Sequence, residues 1–138
     1  MIFKLSCAAV VLFLSLTAHA NEYMAEVKSV YDGDTIKVSI ELWPGLTQRV
    51  SVRIKGIDTP ESRTKSTCEK LLASEATMAI RALLGARVRI VNVVLGKFAG
   101  RVLADVYTLN NIHAGNYMLT NGFAREYHGG KRVSWCVD

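Results

Sequence analysis

Two short blocks, Asp32-Gly33-Asp34-Thr35 and Arg53-Ile54-Lys55-Gly56-Ile57-Asp58-Thr59-Pro60-Glu61, place four carboxylates and an arginine within thirty residues of an otherwise basic chain. A hard cation such as calcium takes several oxygen ligands, and a phosphate takes the planar fork of an arginine. A second arginine, Arg101, follows Gly100 further along. These residue types suit cation-assisted chemistry on a phosphodiester. Each block also has a plainer reading: Asp-Gly is common hairpin punctuation, and Pro60 pushes Thr59 into an extended loop conformation. The plain reading leaves Arg53 unexplained. Alternation puts it on the polar face of its strand, aimed toward the loop that delivers Asp58 and Glu61.

The elements that must carry these residues are written in the apolar pattern. Ile36, Val38, Ile40 and Leu42 alternate with Thr35, Lys37, Ser39 and Glu41, and Val50, Val52 and Ile54 alternate with Ser51, Arg53 and Lys55. Trp43-Pro44-Gly45 between them predicts a turn joining antiparallel neighbours. Residues 24–31, 87–95 and 101–107 predict three more strands. Helical periodicity runs from about Cys68 to Leu84, with Leu71, Leu72, Glu75, Met78, Ala79, Ala82 and Leu83 as the stripe and Gly85 as the stop. A shorter helix is expected over 113–120. Five short strands with a helix between the third and fourth is the order of an OB-type barrel, mainly β with helices. Trp43 and Trp135 are expected to pack, and His128 to be solvated.

The first twenty residues have the pattern of a signal peptide: Lys4, an apolar run from Leu5 to Leu16, and Ala18-His19-Ala20 as a small-x-small cleavage site. The apolar run is too short to span a bilayer. The expectation is an exported protein, periplasmic or secreted, with residues 21–138 as one domain and no stable membrane association after cleavage. The whole chain carries a net charge of +5, of which Lys4 supplies one. A basic domain with an acidic cluster suits a polyanion approaching a cation site.

Beyond the leader two cysteines remain, Cys68 and Cys136. In an oxidising compartment an even pair is most simply a disulfide, contributing on the order of 4 kcal/mol in the chain-entropy model. A zinc pair or a catalytic thiol is the alternative. Against it, only His113 and His128 remain, and neither sits at metal-finger spacing from a cysteine.

The two blocks, Gly100-Arg101 and the element order together resemble the staphylococcal (micrococcal) nuclease, or thermonuclease, family, from about Tyr23 to Tyr127. The tail from Tyr127-His128-Gly129-Gly130-Lys131-Arg132 to Trp135-Cys136 resembles exported members with one cysteine in the helix and another near the C-terminus. The resemblance implies Ca2+ bound by Asp34, Asp58 and the carbonyl of Thr59, with Asp32 behind them. It implies Arg53 and Arg101 on the scissile phosphate, and Glu61 as general base or water-orienting carboxylate. The implied substrates are DNA and RNA, cut with low sequence specificity at the 5′-oxygen–phosphorus bond to leave 3′-phosphate ends, by a monomer. Two features depart from the pattern. The usual Lys-Tyr-Gly-Arg reads Lys97-Phe98-Ala99-Gly100-Arg101, and the base-stacking tyrosines do not align without a shift. Tyr127 is the candidate stacker, against the alternative of a partly buried core tyrosine. The competing function is an OB-type nucleic-acid-binding module without catalysis, which would be expected to lose Glu61 or an arginine. A calcium-binding structural protein is a third.

Overall fold

The structure, a computed structural model, describes residues 21–137; the signal-peptide expectation falls outside them. Strands β1 (Glu22–Asp32), β2 (Thr35–Trp43) and β3 (Leu46–Ile54) are followed by the two-residue β4 (Ile57–Asp58), helix α1 (Thr67–Leu83), β5 (Arg87–Leu95), β6 (Arg101–Thr108), helix α2 (Ala114–Thr120) and β7 (Arg125–Glu126). The five long strands close in the order β1-β2-β3-β6-β5, and β4 pairs with β7 outside the barrel. All contacts in the barrel are antiparallel except β3 with β6. This is the five-stranded OB-type barrel expected, with α1 inserted between its third and fourth strands.

Closure gives each strand one dry face. Ile36, Val38, Val52, Ile54, Val88, Ile90, Ala104 and Val106 fill the interior, joined by Ile80 from α1 and Met118 from α2. Two parts of the alternation reading need correction. The β2–β3 hairpin runs past the barrel rim, so Leu42 is 51% exposed, and Trp43 is 70% exposed rather than packed. The stripe on α1 is also different: Glu69, Ala73, Ala76 and Ile80 are buried, while Leu71 and Met78 are exposed. The cause is close approach, since a Cβ added at Gly33 would stand 2.9 Å from both Ala76 Cβ and Thr59 Cγ2. Only a small-residue face lets α1 lie that near the Asp32–Asp34 turn. The helix begins at Ser66, whose hydroxyl accepts from the Glu69 N–H at 3.2 Å. It stops where Leu84 turns extended, one residue before the expected Gly85.

The departure at Phe98-Ala99 is absorbed in the β5–β6 connection. Arg101 N–H donates to the Phe98 carbonyl at 3.2 Å, and Gly100 takes the positive φ (76°) such a turn requires.

Candidate active site

The turn between β1 and β2 and the end of β3 meet at one mouth of the barrel. Ile54 N–H donates to the Asp34 carbonyl at 2.8 Å, and Thr35 pairs with Arg53 in register. That pairing brings Arg53 Nη1 to 3.0 Å from Asp34 Oδ2 and Nη2 to 3.8 Å from Asp58 Oδ1. Asp34 also accepts from the Thr59 N–H at 3.2 Å and the Thr35 hydroxyl at 2.8 Å. Asp32 stands behind, its Oδ1 accepting from the Asp34 N–H at 3.2 Å. Burial and the adjacent Asp34 charge push the Asp32 carboxyl up to about 7.

That shift has a measurable consequence. The native state holds the Asp32 proton more tightly than the unfolded chain does. Unfolding free energy in EDTA should therefore fall as pH rises from about 4 to about 7, with the full cost present above 7. Asp32→Asn removes the titration. Urea denaturation at pH 5 and pH 8 should then differ less than in the parent, by on the order of 2–4 kcal/mol. An equal pH dependence in the two proteins would rule out Asp32 as its source.

Asp58 is 2% exposed and is surrounded by donors. Arg125 Nε and Nη2 reach its Oδ2 at 3.2 and 3.0 Å, the Trp135 indole N–H reaches the same oxygen at 3.2 Å, and Arg132 Nε reaches Oδ1 at 3.0 Å. A buried carboxylate costs several kcal/mol unless so compensated. Trp135 is held in place by the Arg125 guanidinium, 4.5 Å from its ring centroid. It thus packs, as expected, though half-buried and as part of the acidic cluster. Glu61 lies at the edge with its carboxylate exposed, its N–H donating to Glu69 Oε1 at 3.1 Å.

Arg101 pairs in register with Ser51, while Arg53 pairs with Leu103, so the two arginines are diagonal neighbours on the outer face of β3 and β6. Arg101 makes no ion pair among the described residues, and its guanidinium lies 5.5 Å from the Phe98 ring centroid. Tyr127 is half-buried beside a groove of about 370 Å³ that it shares with Arg53 and Leu103. Its hydroxyl donates to the Gly130 carbonyl at 2.7 Å, and Arg53 stands 5.8 Å from its ring centroid. Cys68 and Cys136 form a disulfide that ties the tail to the first turn of α1.

Four participants escaped the sequence reading: Glu69, Arg125, Arg132 and Trp135. Glu69 left a signal, since Ser66-x-x-Glu69 is a capping-box pattern, yet its carboxylate turns to Glu61 and Arg132. The other three lie in the tail, where no periodicity marks a residue as inward-facing.

Does the site fit a divalent cation? Among the described residues no three acidic, histidine or cysteine side chains gather into a metal cage by themselves. The oxygen set is Asp34, Asp58, the Thr59 carbonyl and Glu61, all hard donors. A cation already stands among these oxygens: the Arg132 guanidinium contacts Asp58, Glu61 and the Thr59 carbonyl. Charge points the same way, with four carboxylates (Asp34, Asp58, Glu61, Glu69) around three guanidinium groups (Arg53, Arg125, Arg132). The donor chemistry fits.

The closed OB-type barrel thus carries buried carboxylates with an arginine between them and a second arginine on the adjoining strand. The family model described as staphylococcal nuclease homologue matches residues 51–134, and the chain belongs to that family. No curated protein matches the chain. Membership carries a nuclease-like function on nucleic acids. The matched span contains Arg53, Asp58, Glu61, Arg101 and Arg132; Asp34 lies before it and is joined to it by the Arg53 ion pair.

Proposed function

We propose that this protein is a calcium-dependent phosphodiesterase that hydrolyses DNA and RNA with little sequence preference, breaking the 5′-O–P bond to leave 3′-phosphate ends. The observation that carries it is Arg53 held between Asp34 and Asp58, with the exposed carboxylate of Glu61 beside them. Asp34, Asp58 and the Thr59 carbonyl would hold calcium, which when bound supplies positive charge against that developing on the phosphate. Arg53 and Arg101 bind the phosphate from the outer face of β3 and β6, and Tyr127 offers a ring to a base in the Arg53 groove. Glu61 orients water or takes its proton as the oxygen attacks phosphorus and the 5′-oxygen leaves. Asp32 keeps the Asp34 backbone in place. The leader pattern and the disulfide support export to the periplasm or the medium, with residues 21–138 as a monomeric domain.

The deciding assay is incubation with plasmid DNA and with RNA, in calcium and then in EDTA. Calcium-dependent cleavage with 3′-phosphate ends is expected. DNA binding without cleavage would replace the enzyme by a binding module.

The outer face beside the arginines supports a chain-like polyanion. Lys37 pairs in register with Ser51, which pairs with Arg101, and Arg49 lies two residues before Ser51 on the same face. Lys37, Arg49 and Arg101 make no ion pairs among the described residues, so three positive charges face solvent without local compensation. Lys28, Lys37 and Arg49 line one groove there. In EDTA, Lys37→Glu with Arg49→Glu should weaken binding of single-stranded oligonucleotides. It should also flatten log K against log salt by about 0.7 per lost phosphate contact. An unchanged slope would move the track elsewhere.

A further inference from the structure

The donors that close on Asp58, apart from Arg53, come from residues 125–135, a segment that ends at the disulfide to α1. Arg132 is its centre. Its Nε donates to Asp58 Oδ1 at 3.0 Å, and its Nη2 donates to the Thr59 carbonyl at 2.9 Å and to Glu69 Oε1 at 2.8 Å. Its Nη1 lies 3.4 Å from Glu61 Oε2. Three of those four oxygen groups are the ones assigned above to the cation or to the attacking water. A guanidinium and a divalent ion cannot use them together, because both are positive and both need the same lone pairs.

We propose that Arg132 is an internal cation that holds this oxygen set while calcium is absent, and that calcium binds by displacing the tail around it. The inference rests on the cation-dependent reading of the site. It explains why two arginines and an indole crowd one buried carboxylate: without them or a metal, Asp58 and Asp34 would be buried close together with Arg53 as their main compensation. The tail can be displaced without breaking a regular element. Among the described residues it forms no helix or strand after β7, and Gly129 and Gly130 both take positive φ, 100° and 92°, just ahead of Lys131-Arg132. The Arg132 side chain is 28% exposed, and its ion pair with Glu61 lies at the solvent edge of the cluster. The β4–β7 pairing lies before the glycines, and the disulfide lies after Trp135, so the segment between is tethered at both ends and stays near the site when displaced. The proposed sequence is therefore an exchange of one cation for another, with the tail as the moving part.

The test is calcium titration of the oxidised, EDTA-stripped protein by calorimetry. It is run in a Trp43→Phe background so that fluorescence reports Trp135 alone. Arg132→Ala should bind calcium at least roughly tenfold more tightly than the parent, a change of about 1.4 kcal/mol. Lys131→Ala, which removes a neighbouring exposed charge, should change affinity by less than about twofold. In the parent, calcium should shift Trp135 emission and raise its quenching by iodide as the indole leaves Asp58. If Arg132→Ala does not fold, Arg132→Gln, which keeps donors without charge, should show the same tightening. Equal or weaker calcium binding in the Arg132 variants, with Trp135 silent, would overturn the exchange and leave the cation-dependent reading standing. Absence of calcium binding in parent and variants alike would overturn both.

Discussion

Glu61→Gln is expected to bind DNA as the parent does and to cleave it roughly 10²–10⁴-fold more slowly. The expectation follows from how differently the carboxylates of the cluster are placed. Asp34, Asp58 and Glu69 are buried, and each accepts from two or more donors that fix its position. The Glu61 side chain is 54% exposed and among the described residues meets only Arg132, at 3.4 Å. Its backbone is nevertheless fixed, because its N–H donates to the buried Glu69. A fixed backbone with an accessible carboxylate suits a group that must orient or deprotonate water. Glutamine keeps the shape and removes the proton affinity, and at so exposed a position stability should change by less than about 0.5 kcal/mol. Single-turnover cleavage in calcium, beside affinity measured in EDTA, separates the two effects. An unchanged cleavage rate would remove Glu61 from the chemistry.

The barrel could be read from the chain because each strand has one dry face, and period-two alternation records that directly. Alternation failed where a strand leaves the barrel. Leu42 continues the apolar pattern of β2 but lies past the rim, where there is no interior for it to face. Helical periodicity failed for a different reason. The face of α1 nearest the Asp32–Asp34 turn is chosen by space, so Ala73 and Ala76 are buried while the larger Leu71 and Met78 are not. For the site, Asp34, Asp58 and Arg53 are near one another because adjacent strands deliver them, and strand neighbours are legible in sequence. Arg132 is 74 residues from Asp58, and the contact exists only because the tail folds back to Cys68. The cysteines pointed to such a closure, but not to which side chains it would carry inward.

Arg53→Ala is expected to be the most damaging single substitution, through two effects that can be measured apart. The guanidinium is the only ionic partner of Asp34 among the described residues, and it also faces Asp58. Removing it leaves Asp34 with the Thr35 hydroxyl and the Thr59 N–H, close to Asp32 and nearly excluded from water. Taking one partner from a buried ion pair costs about 3–5 kcal/mol, which urea denaturation in EDTA should show directly. Calcium should restore part of that loss in the variant, because a bound cation compensates the same carboxylates. Cleavage should not recover with it. The phosphate loses a planar fork on the outer face of β3, and loss of such an arginine costs at least roughly 10³-fold in rate where it stabilises a phosphoryl transition state. Arg53→Lys sharpens the distinction: a point charge can still sit between the carboxylates and recover stability, yet it lacks the fork for the phosphate. Recovery of both stability and cleavage in Arg53→Lys would show that Arg53 supplies charge alone.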